Sequence, residues 1–334
     1  MSVDRSAGVS SDRSAGMSVD QALADARARV GGASPGADAR LLMGHVLGRD
    51  GAWLLAHGDE PLAADAAARL AHLVASRAEG VPVPYLTGEA WFFGRRFAVT
   101  RDVLVPRPET ETLVEHALAF LRARSGAHGD RERSVSEGLG DRQESGAHGL
   151  DHHEEVQRVC DVGTGSGAIA VALACAFPEA AVTAIDISPA TLAVAEANAA
   201  ANGVAARVRI RLGDLLEGLD GTPPFDCITA NLPYVPAEQI PGPPDPLAFE
   251  PRLALDGGAD GLTLYRRLLR RVPERLACDG GLLLEAAPPT IDALAALTRA
   301  ALPDATVEVV ADAGGLARLI VARRGRGERE AVTA

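Results

Sequence analysis

Short apolar runs alternate with Ala- and Leu-rich helical segments from Val156 to Arg323, and this alternation constrains the fold more than any other feature. Strands separated by helices predict an α/β domain with a mostly parallel sheet and helices on both faces. Only Asp312 to Gly315 join the last two strands, too short a link for a crossover, so we expect these strands to pair antiparallel. The seven expected strands lie near residues 157–162, 181–187, 207–212, 225–230, 281–286, 305–311 and 316–323.

A glycine-rich loop follows the first of these strands and leads into a helix that starts near Ala168. Glycines let the backbone turn tightly and approach a ligand closely, and the first amides of the helix favour an anion. The spacing Gly-x-Gly-x-Gly differs from the Gly-x-Gly-x-x-Gly of a pyrophosphate-binding turn, and it favours S-adenosylmethionine, whose carboxylate would be that anion. The alternative is a tight turn without a ligand. The residues predicted to contact the cofactor are Gly163, Thr164, Gly165, Ser166 and Gly167.

Acidic residues follow the next two strands. Asp186 ends the second strand, where a carboxylate is placed to accept hydrogen bonds from both hydroxyls of a ribose. Its alternative role as a helix cap is already filled by Ser188 before Pro189. Asp214, after the third strand, is predicted to bond an adenine amino group while Leu215 packs on the ring. A surface-turn aspartate is the competing interpretation.

The tetrapeptide Asn231-Leu232-Pro233-Tyr234 follows an apolar strand over 225–230, at the edge where open α/β sheets bind ligands. The Asn231 side-chain oxygen and the Pro233 carbonyl can each accept one N–H bond from a planar amide or amine. Tyr234 is predicted to pack on that flat group and Leu232 to wall the site. Together with the cofactor loop, the motif predicts methyl transfer to nitrogen. Asn231, Pro233 and Tyr234 are the predicted catalytic residues, and all four residues are predicted to bind the substrate. The alternative is an Asx turn that ends the strand.

Charge excludes several classes of function. All 33 basic residues are arginine, which excludes a lysine-dependent phosphate loop or Schiff base. The net charge of −12 makes the phosphate backbone of a nucleic acid a poor partner, so no direct nucleic-acid binding is expected.

Cysteine, histidine and hydropathy patterns are similarly restrictive. Four dispersed cysteines form no Cys-x-x-Cys pair, and we interpret them as reduced structural thiols; no metal site is predicted. The histidines near residues 128–153 lie in a polar segment and receive no catalytic role. Without an apolar run of about 18 residues or an apolar N-terminus, neither a membrane span nor a signal peptide is predicted, so we expect a cytoplasmic protein.

Composition divides the rest of the chain. A repeated Asp-Arg-Ser-Ala-Gly near the N-terminus indicates a disordered extension, and the helical spacing of apolar residues after it indicates a small helical bundle. Alternating β-type residues from Val83 to Val105 indicate a hairpin. A helix is expected from Glu109 to about Arg124. The predicted segments are the extension 1–16, the helical domain 17–82, the linking hairpin and helix 83–124, a flexible low-complexity insertion 125–155, the cofactor domain 156–323 and a tail 324–334.

A set of motifs recurs in order along the chain: Tyr85-Leu86-Thr87-Gly88, Phe93-Gly94, Val105 to Glu111, Asp161 to Gly167, Asn231 to Tyr234 and Phe249 to Leu255. In these motifs the chain resembles the HemK/PrmC-type methyltransferases, which modify the glutamine of the Gly-Gly-Gln motif in class 1 peptide chain release factors. The resemblance covers 17–323 apart from the insertion. It implies a helical substrate domain joined by a β-hairpin to a class I methyltransferase domain. It also implies S-adenosylmethionine at the glycine loop, Asp186, the Asp214 turn and Asn231, with the tetrapeptide holding the glutamine.

Leu232 departs from the proline that is usual in this family. Asn-Leu-Pro-Tyr is also associated with adenine-N6 methylation, so a nucleic-acid base methyltransferase is the first alternative. The helical domain and the Pro106-Arg107-Pro108 segment before the cofactor domain argue against it. Arg107, Glu109 and Glu250 with Arg252 are expected to bridge domains or to touch the protein substrate, with surface ion pairs as the equal alternative. A catalytically silent docking module is the second alternative, and a monomer is expected.

Overall fold

The computed structural model describes residues 17–137, 156–219 and 221–325. Within them the chain forms two compact units: residues 17–87 with 243–249, and residues 88–242 with 250–325. The predicted extension 1–16, the insertion from residue 138 to 155 and the tail beyond 325 lie outside the described residues.

The first unit is helical, as the sequence predicts. Ser18 and Gln21 form a capping box at the start of its first helix, and Pro35 begins the second. Leu42, Met43 and Leu54 lie fully buried between the helices and form the centre of a separate apolar core. The helices are α1 (Val19–Arg29), α2 (Pro35–Leu47), α3 (Gly51–Ala56), α4 (Ala64–Ala78) and α5 (Val83–Thr87).

Helix α5 replaces the beginning of the β-segment predicted from Val83. Val83 is buried and Leu86 packs against the same helical core, an i, i+3 spacing that suits one side of a helix. The Thr87 hydroxyl donates to the Val83 carbonyl and closes the turn. The expectation of β-structure here was wrong because a short apolar run does not distinguish a strand from a buried helix.

The predicted hairpin is present but shorter than expected. β1 (Glu89–Phe92) and β2 (Arg95–Ala98) pair antiparallel around the two-residue turn Phe93-Gly94. Both turn residues have positive φ, 50° and 69°, as a type I′ turn requires. The Phe93 amide donates to Glu111 Oε1 at 2.7 Å, which holds this non-glycine residue in place. Residues 99–105 form no strand, so the prediction that β-structure extends to Val105 was wrong.

A 3-10 turn at Pro108–Thr110 leads into α6 (Glu111–Glu137). The helix therefore continues past Arg124, where the sequence predicts its end, and into the segment interpreted as a flexible insertion. Its N-terminal half packs into the core of the second unit through Leu113, Val114 and Leu121.

The second unit contains the predicted seven-stranded sheet, in the order β5-β4-β3-β6-β7-β9-β8. Five strands are parallel, while β9 pairs antiparallel with both β7 and β8, which confirms the expected final hairpin. The remaining elements are β3 (Gln157–Val162), α7 (Ala168–Ala176), β4 (Ala180–Asp186), α8 (Pro189–Ala201), β5 (Val208–Leu212), β6 (Phe225–Ala230), α9 (Thr263–Arg275), β7 (Leu276–Glu285), α10 (Ile291–Ala301), β8 (Ala305–Ala311) and β9 (Ala317–Arg324).

Both faces of this sheet are covered. Val159 and Cys227 belong to the apolar cluster shared with α6 and α7, whereas Cys160 and Ile228 belong to the cluster shared with α9 and α10. β3 lies between β4 and β6. The chain adds β4 and β5 on one side of β3 and then β6 and β7 on the other, so the order of the strands reverses at β3. Ligands of open α/β sheets bind at such a switch point, beyond the carboxyl ends of the strands.

Candidate active site

A cavity of about 380 Å³ lies at this switch point, entirely within the second unit. Its wall includes residues after β3, β4, β5 and β6, so the topology brings together segments that are far apart in sequence. Ten of the twelve predicted site residues line it: Gly163, Thr164, Gly165, Ser166, Asp186, Asp214, Leu215, Asn231, Leu232 and Pro233. Gly167 and Tyr234 do not. Gly213, which was not predicted, lies beside Asp214 in the same wall.

The glycine loop requires glycine for two physical reasons. Gly163, Gly165 and Gly167 all have positive φ, between 57° and 80°. A Cβ at position 163 would lie 2.8 Å from Leu232 Cδ2, and one at position 167 would lie 3.2 Å from Ala195. Gly167 therefore serves close packing at the start of α7, while the preceding residues face the cavity.

Asp161, at the start of the glycine motif, stabilises this loop through hydrogen bonds. The residue is fully buried, and it accepts hydrogen bonds from the Thr164 hydroxyl at 2.6 Å and the Thr229 hydroxyl at 2.9 Å. Burial raises the pKa of Asp161 to about 6, while the two hydroxyls lower it. Asp161 begins the glycine motif, but the motif by itself predicts no separate role for this residue.

Asp186 reaches the cavity with both oxygens already anchored to backbone. Oδ2 accepts from the Gly165 amide at 3.1 Å and Oδ1 from the Ser188 amide at 3.0 Å. Burial raises its pKa, and these amides oppose the shift. Ser188, not Asp186, caps α8 by accepting from the Thr191 amide, as predicted. Each carboxylate oxygen keeps further acceptor capacity, so the arrangement fits a pair of ribose hydroxyls.

Asp214 is paired with a residue that sequence analysis missed. Its Oδ2 accepts a hydrogen bond from Arg267 Nη2 at 2.7 Å, and both residues line the cavity. Arg267 lies 53 positions away on arginine-rich α9, so nothing in the local sequence distinguishes it. Leu215 beside Asp214 adopts a positive φ of 55° and packs partly against the core.

Asn231 is held by its amide nitrogen. Nδ2 donates to the Thr110 hydroxyl at 3.1 Å. Thr110 also lines the cavity and comes from the Val105 to Glu111 motif. The adjacent Leu232 is buried, and its backbone amide donates to the Tyr265 hydroxyl at 3.1 Å. Tyr265 is fully buried on α9 and so fixes the motif from behind.

Tyr234 is not among the residues that line the cavity. It is partly buried and packs against the apolar cluster shared with α9 and α10. Burial raises its pKa to about 12, so the phenol stays neutral. The backbone around it is fixed by two hydrogen bonds, from Val235 N to Leu255 O and from Gly257 N to Val235 O.

Arg107 and Glu250 form an ion pair at one side of the cavity, which Arg107 lines. The Glu250 side chain is fully buried, and its Oε2 also accepts from the Val105 amide at 3.1 Å. Both residues belong to the second unit, so this pair ties the loop before α6 to the loop before α9.

The described residues contain no cluster of three or more His, Cys, Asp or Glu side chains suited to a metal ion. None of the helices described is long and apolar enough to cross a membrane.

Known proteins share both units. The family described as PrmC N-terminal domain matches residues 21–88, and that described as Methyltransferase domain matches residues 159–242. The release factor glutamine methyltransferase of Cereibacter sphaeroides is 40% identical over 287 residues, 86% of this chain and 90% of that protein. That of Deinococcus radiodurans is 39% identical over 300 residues, 90% and 95% of the two chains. That of Bordetella pertussis is 40% identical over 267 residues, 80% and 87%.

Proposed function

We propose that this chain methylates the side-chain amide nitrogen of the glutamine in the Gly-Gly-Gln motif of class 1 release factors, because it belongs to the release factor glutamine methyltransferase family. S-adenosylmethionine is the methyl donor. The observation that carries the proposal is the placement of Asn231 and Pro233 in one cavity with the glycine loop and Asp186. A site for a planar amide thus adjoins a site for a nucleoside.

The cofactor-side residues offer acceptors and amides in the pattern that S-adenosylmethionine needs. Asp186 presents two anchored carboxylate oxygens for ribose hydroxyls. Asp214 and Leu215 form the part of the wall suited to adenine. The loop from Gly163 to Ser166 brings backbone close to the ligand, at the start of α7, where a carboxylate is favoured. When bound, the cofactor supplies an electrophilic methyl group on a positively charged sulfur.

The substrate-side residues orient a poor nucleophile. The nitrogen of a glutamine amide is delocalised into its carbonyl, so it needs positioning more than deprotonation. One N–H of the glutamine donates to Asn231 Oδ1 and the other to the Pro233 carbonyl, which leaves the nitrogen face directed at the methyl group. Orientation of this kind supplies part of the roughly 7–11 kcal/mol available from proximity.

A protein substrate also agrees with the charge of the chain. Its net charge of −12 is unsuited to the phosphate-dominated binding of a nucleic acid. We therefore infer action on a release factor rather than directly on RNA. We also propose that the protein acts in the cytoplasm as a monomer.

The test is a methyl-transfer assay with purified protein and labelled S-adenosylmethionine. A class 1 release factor, the same factor with its Gly-Gly-Gln glutamine replaced by alanine, and ribosomal RNA serve as acceptors. Label is expected on the first alone, and mass mapping should place it on the glutamine. Label on RNA would support the base methyltransferase instead, and absence of transfer to every acceptor would support a silent module. The Asn231→Ala variant is the matched control for protein-dependent transfer.

A further inference from the structure

Glu285 lies beside Asn231 at the carboxyl edge of the sheet. β6 and β7 run parallel with Ala230 aligned to Leu284, so the next residues along the strands, Asn231 and Glu285, are neighbours. Glu285 is 3% exposed, and its Oε2 has no hydrogen-bond partner within the described part of the chain. A buried carboxylate without a full set of partners costs stability, and such groups concentrate at functional sites.

Two side chains of the cavity wall interact with this carboxylate. Burial raises the pKa of Glu285 to about 7, while the nearby polar side chains of Thr110 and Asn231 lower it. Asn231 Nδ2 also donates to the Thr110 hydroxyl at 3.1 Å, so the three side chains form one cluster. Thr110 and Asn231 line the cavity and Glu285 does not. Glu285 can therefore act on a ligand only through the other two.

Two charged side chains and two tyrosines are the other groups that interact electrostatically with Glu285. Arg318 on β9 lowers its pKa, and Glu109 in the turn before α6 raises it. Tyr234 and Tyr265 face the same carboxylate from the loop after β6 and from α9, and burial raises the pKa of both phenols. Both therefore stay neutral near pH 7.

We propose that Glu285 is a positioning residue that determines which end of the Asn231 amide faces the cavity; this inference rests on the proposed function. An ionised carboxylate only accepts hydrogen bonds, so it attracts Nδ2 of Asn231 and the Thr110 hydroxyl and leaves Oδ1 for the substrate. With the amide reversed, its NH₂ group would meet the NH₂ group of the glutamine, two donors that cannot bond. Glu285 thereby orients Asn231 so that Oδ1, the acceptor that the glutamine NH₂ group needs, faces the cavity.

The test is Glu285→Gln, which keeps the shape of the side chain and removes its charge. The control is Glu308→Gln, which makes the same change at an exposed position of β8. An amide at 285 can donate to Asn231 Oδ1 and so stabilises the reversed orientation. We expect kcat at pH 8 to fall on the order of 10–10²-fold, as for a misplaced reacting group, with cofactor affinity unchanged. We also expect the wild-type kcat to rise with pH through about 7. That limb should be absent in Glu285→Gln and present in Glu308→Gln.

Thr110 provides a second test that does not depend on the fold tolerating a change at 285. Thr110→Val removes the hydroxyl between Asn231 and Glu285 and should lower kcat, whereas Thr110→Ser keeps it and should restore most of the activity. Wild-type kcat and an unchanged pH profile in Glu285→Gln would overturn the inference, as would equal activity of the valine and serine variants. If the wild-type protein methylates no acceptor, the proposed function itself fails, which is a distinct result.

Discussion

Asn198 on α8 exchanges two hydrogen bonds with the backbone of Ala98 on β2. Its Oδ1 accepts from the Ala98 amide at 2.7 Å, and its Nδ2 donates to the Ala98 carbonyl at 2.9 Å. Nδ2 also donates to the Ser166 carbonyl in the glycine loop at 2.8 Å. One buried amide thus connects the hairpin, a sheet-covering helix and the wall of the cofactor site.

Asn198→Ala should lower both stability and cofactor affinity. The change leaves the part-buried backbone groups of Ala98 and the buried Ser166 carbonyl without their partners. A buried group left unpaired costs roughly 1–3 kcal/mol. We expect a clear fall in the free energy of unfolding by denaturant titration and weaker S-adenosylmethionine binding by calorimetry. Asn202→Ala, one turn later on a less buried site, is the control and should cost much less. Equal effects of the two variants would show that the Asn198 bridge contributes nothing special.

Asn198 also illustrates what sequence patterns leave out. The glycine loop, Asp186 and the Asn231 motif were predictable because each follows a strand whose apolar run is visible in the sequence. Asn198 is one asparagine in an Ala-rich helix, and its partner lies 100 residues away. Glu285 ends an apolar strand without a motif around it, so only the β6–β7 register reveals its neighbour.

Asp186→Ala should weaken cofactor binding by roughly 1–3 kcal/mol, the scale for hydroxyls left without an acceptor. The loss also frees the Gly165 amide, which Asp186 now anchors. Calorimetry with S-adenosylmethionine measures the effect, and Asp292→Ala on exposed α10 is the control. Unchanged affinity in Asp186→Ala would remove this carboxylate from the binding site.

Asp214 should discriminate between adenine and hypoxanthine. If its carboxylate accepts from the adenine amino group, the inosine analogue of S-adenosylhomocysteine, with a carbonyl there, should bind the wild type about 10-fold or more weakly. Asp214→Ala should bind both compounds with similar affinity. Undiminished discrimination in Asp214→Ala, measured by competition binding, would assign Asp214 only to its ion pair with Arg267.

Asp161 should make the protein less stable as pH rises. Burial raises its pKa from 3.8 to about 6 in the folded protein, so the folded state holds a proton that the unfolded chain has released. The resulting stability is fully present below about pH 4 and is lost as pH rises through about 6. Asp161→Asn should therefore gain on the order of 3 kcal/mol relative to wild type between pH 4 and 7.5, at about 1.4 kcal/mol per pKa unit. Parallel pH profiles of the unfolding free energy would contradict this.

The differences between the predicted and observed local structure have physical causes. Tyr234 does not line the cavity, and it packs against the core cluster shared with α9 and α10, where burial of an aromatic ring is favourable. Its contact with the substrate stays a prediction. The end of α6 was placed near Arg124 because apolar periodicity stops there. The helix nevertheless continues to Glu137, since a polar sequence can extend a helix that is already anchored.

Residues 126–154, which follow the part of α6 that packs on the core, should be dispensable for folding and turnover. Arg124 pairs with Asp226 at 2.9 Å and with Asp279 at 2.6 Å, and Gln157 Nε2 donates to the Leu121 carbonyl at 3.1 Å. All these contacts lie outside residues 126–154, whose composition offers little apolar surface to bury.

Replacing 126–154 with a short Gly/Ser linker should therefore leave Tm and methyl transfer close to those of the wild type, because loop closure depends only weakly on length. A second variant that replaces only 138–154 isolates the part of the helix from 126 to 137. Arg124→Ala is the positive control and should lower Tm, since it leaves the largely buried carboxylates of Asp226 and Asp279 without their cation. A large loss of Tm or turnover in the longer replacement alone would assign a structural role to the helical extension, and a loss in both would assign it to residues 138–154.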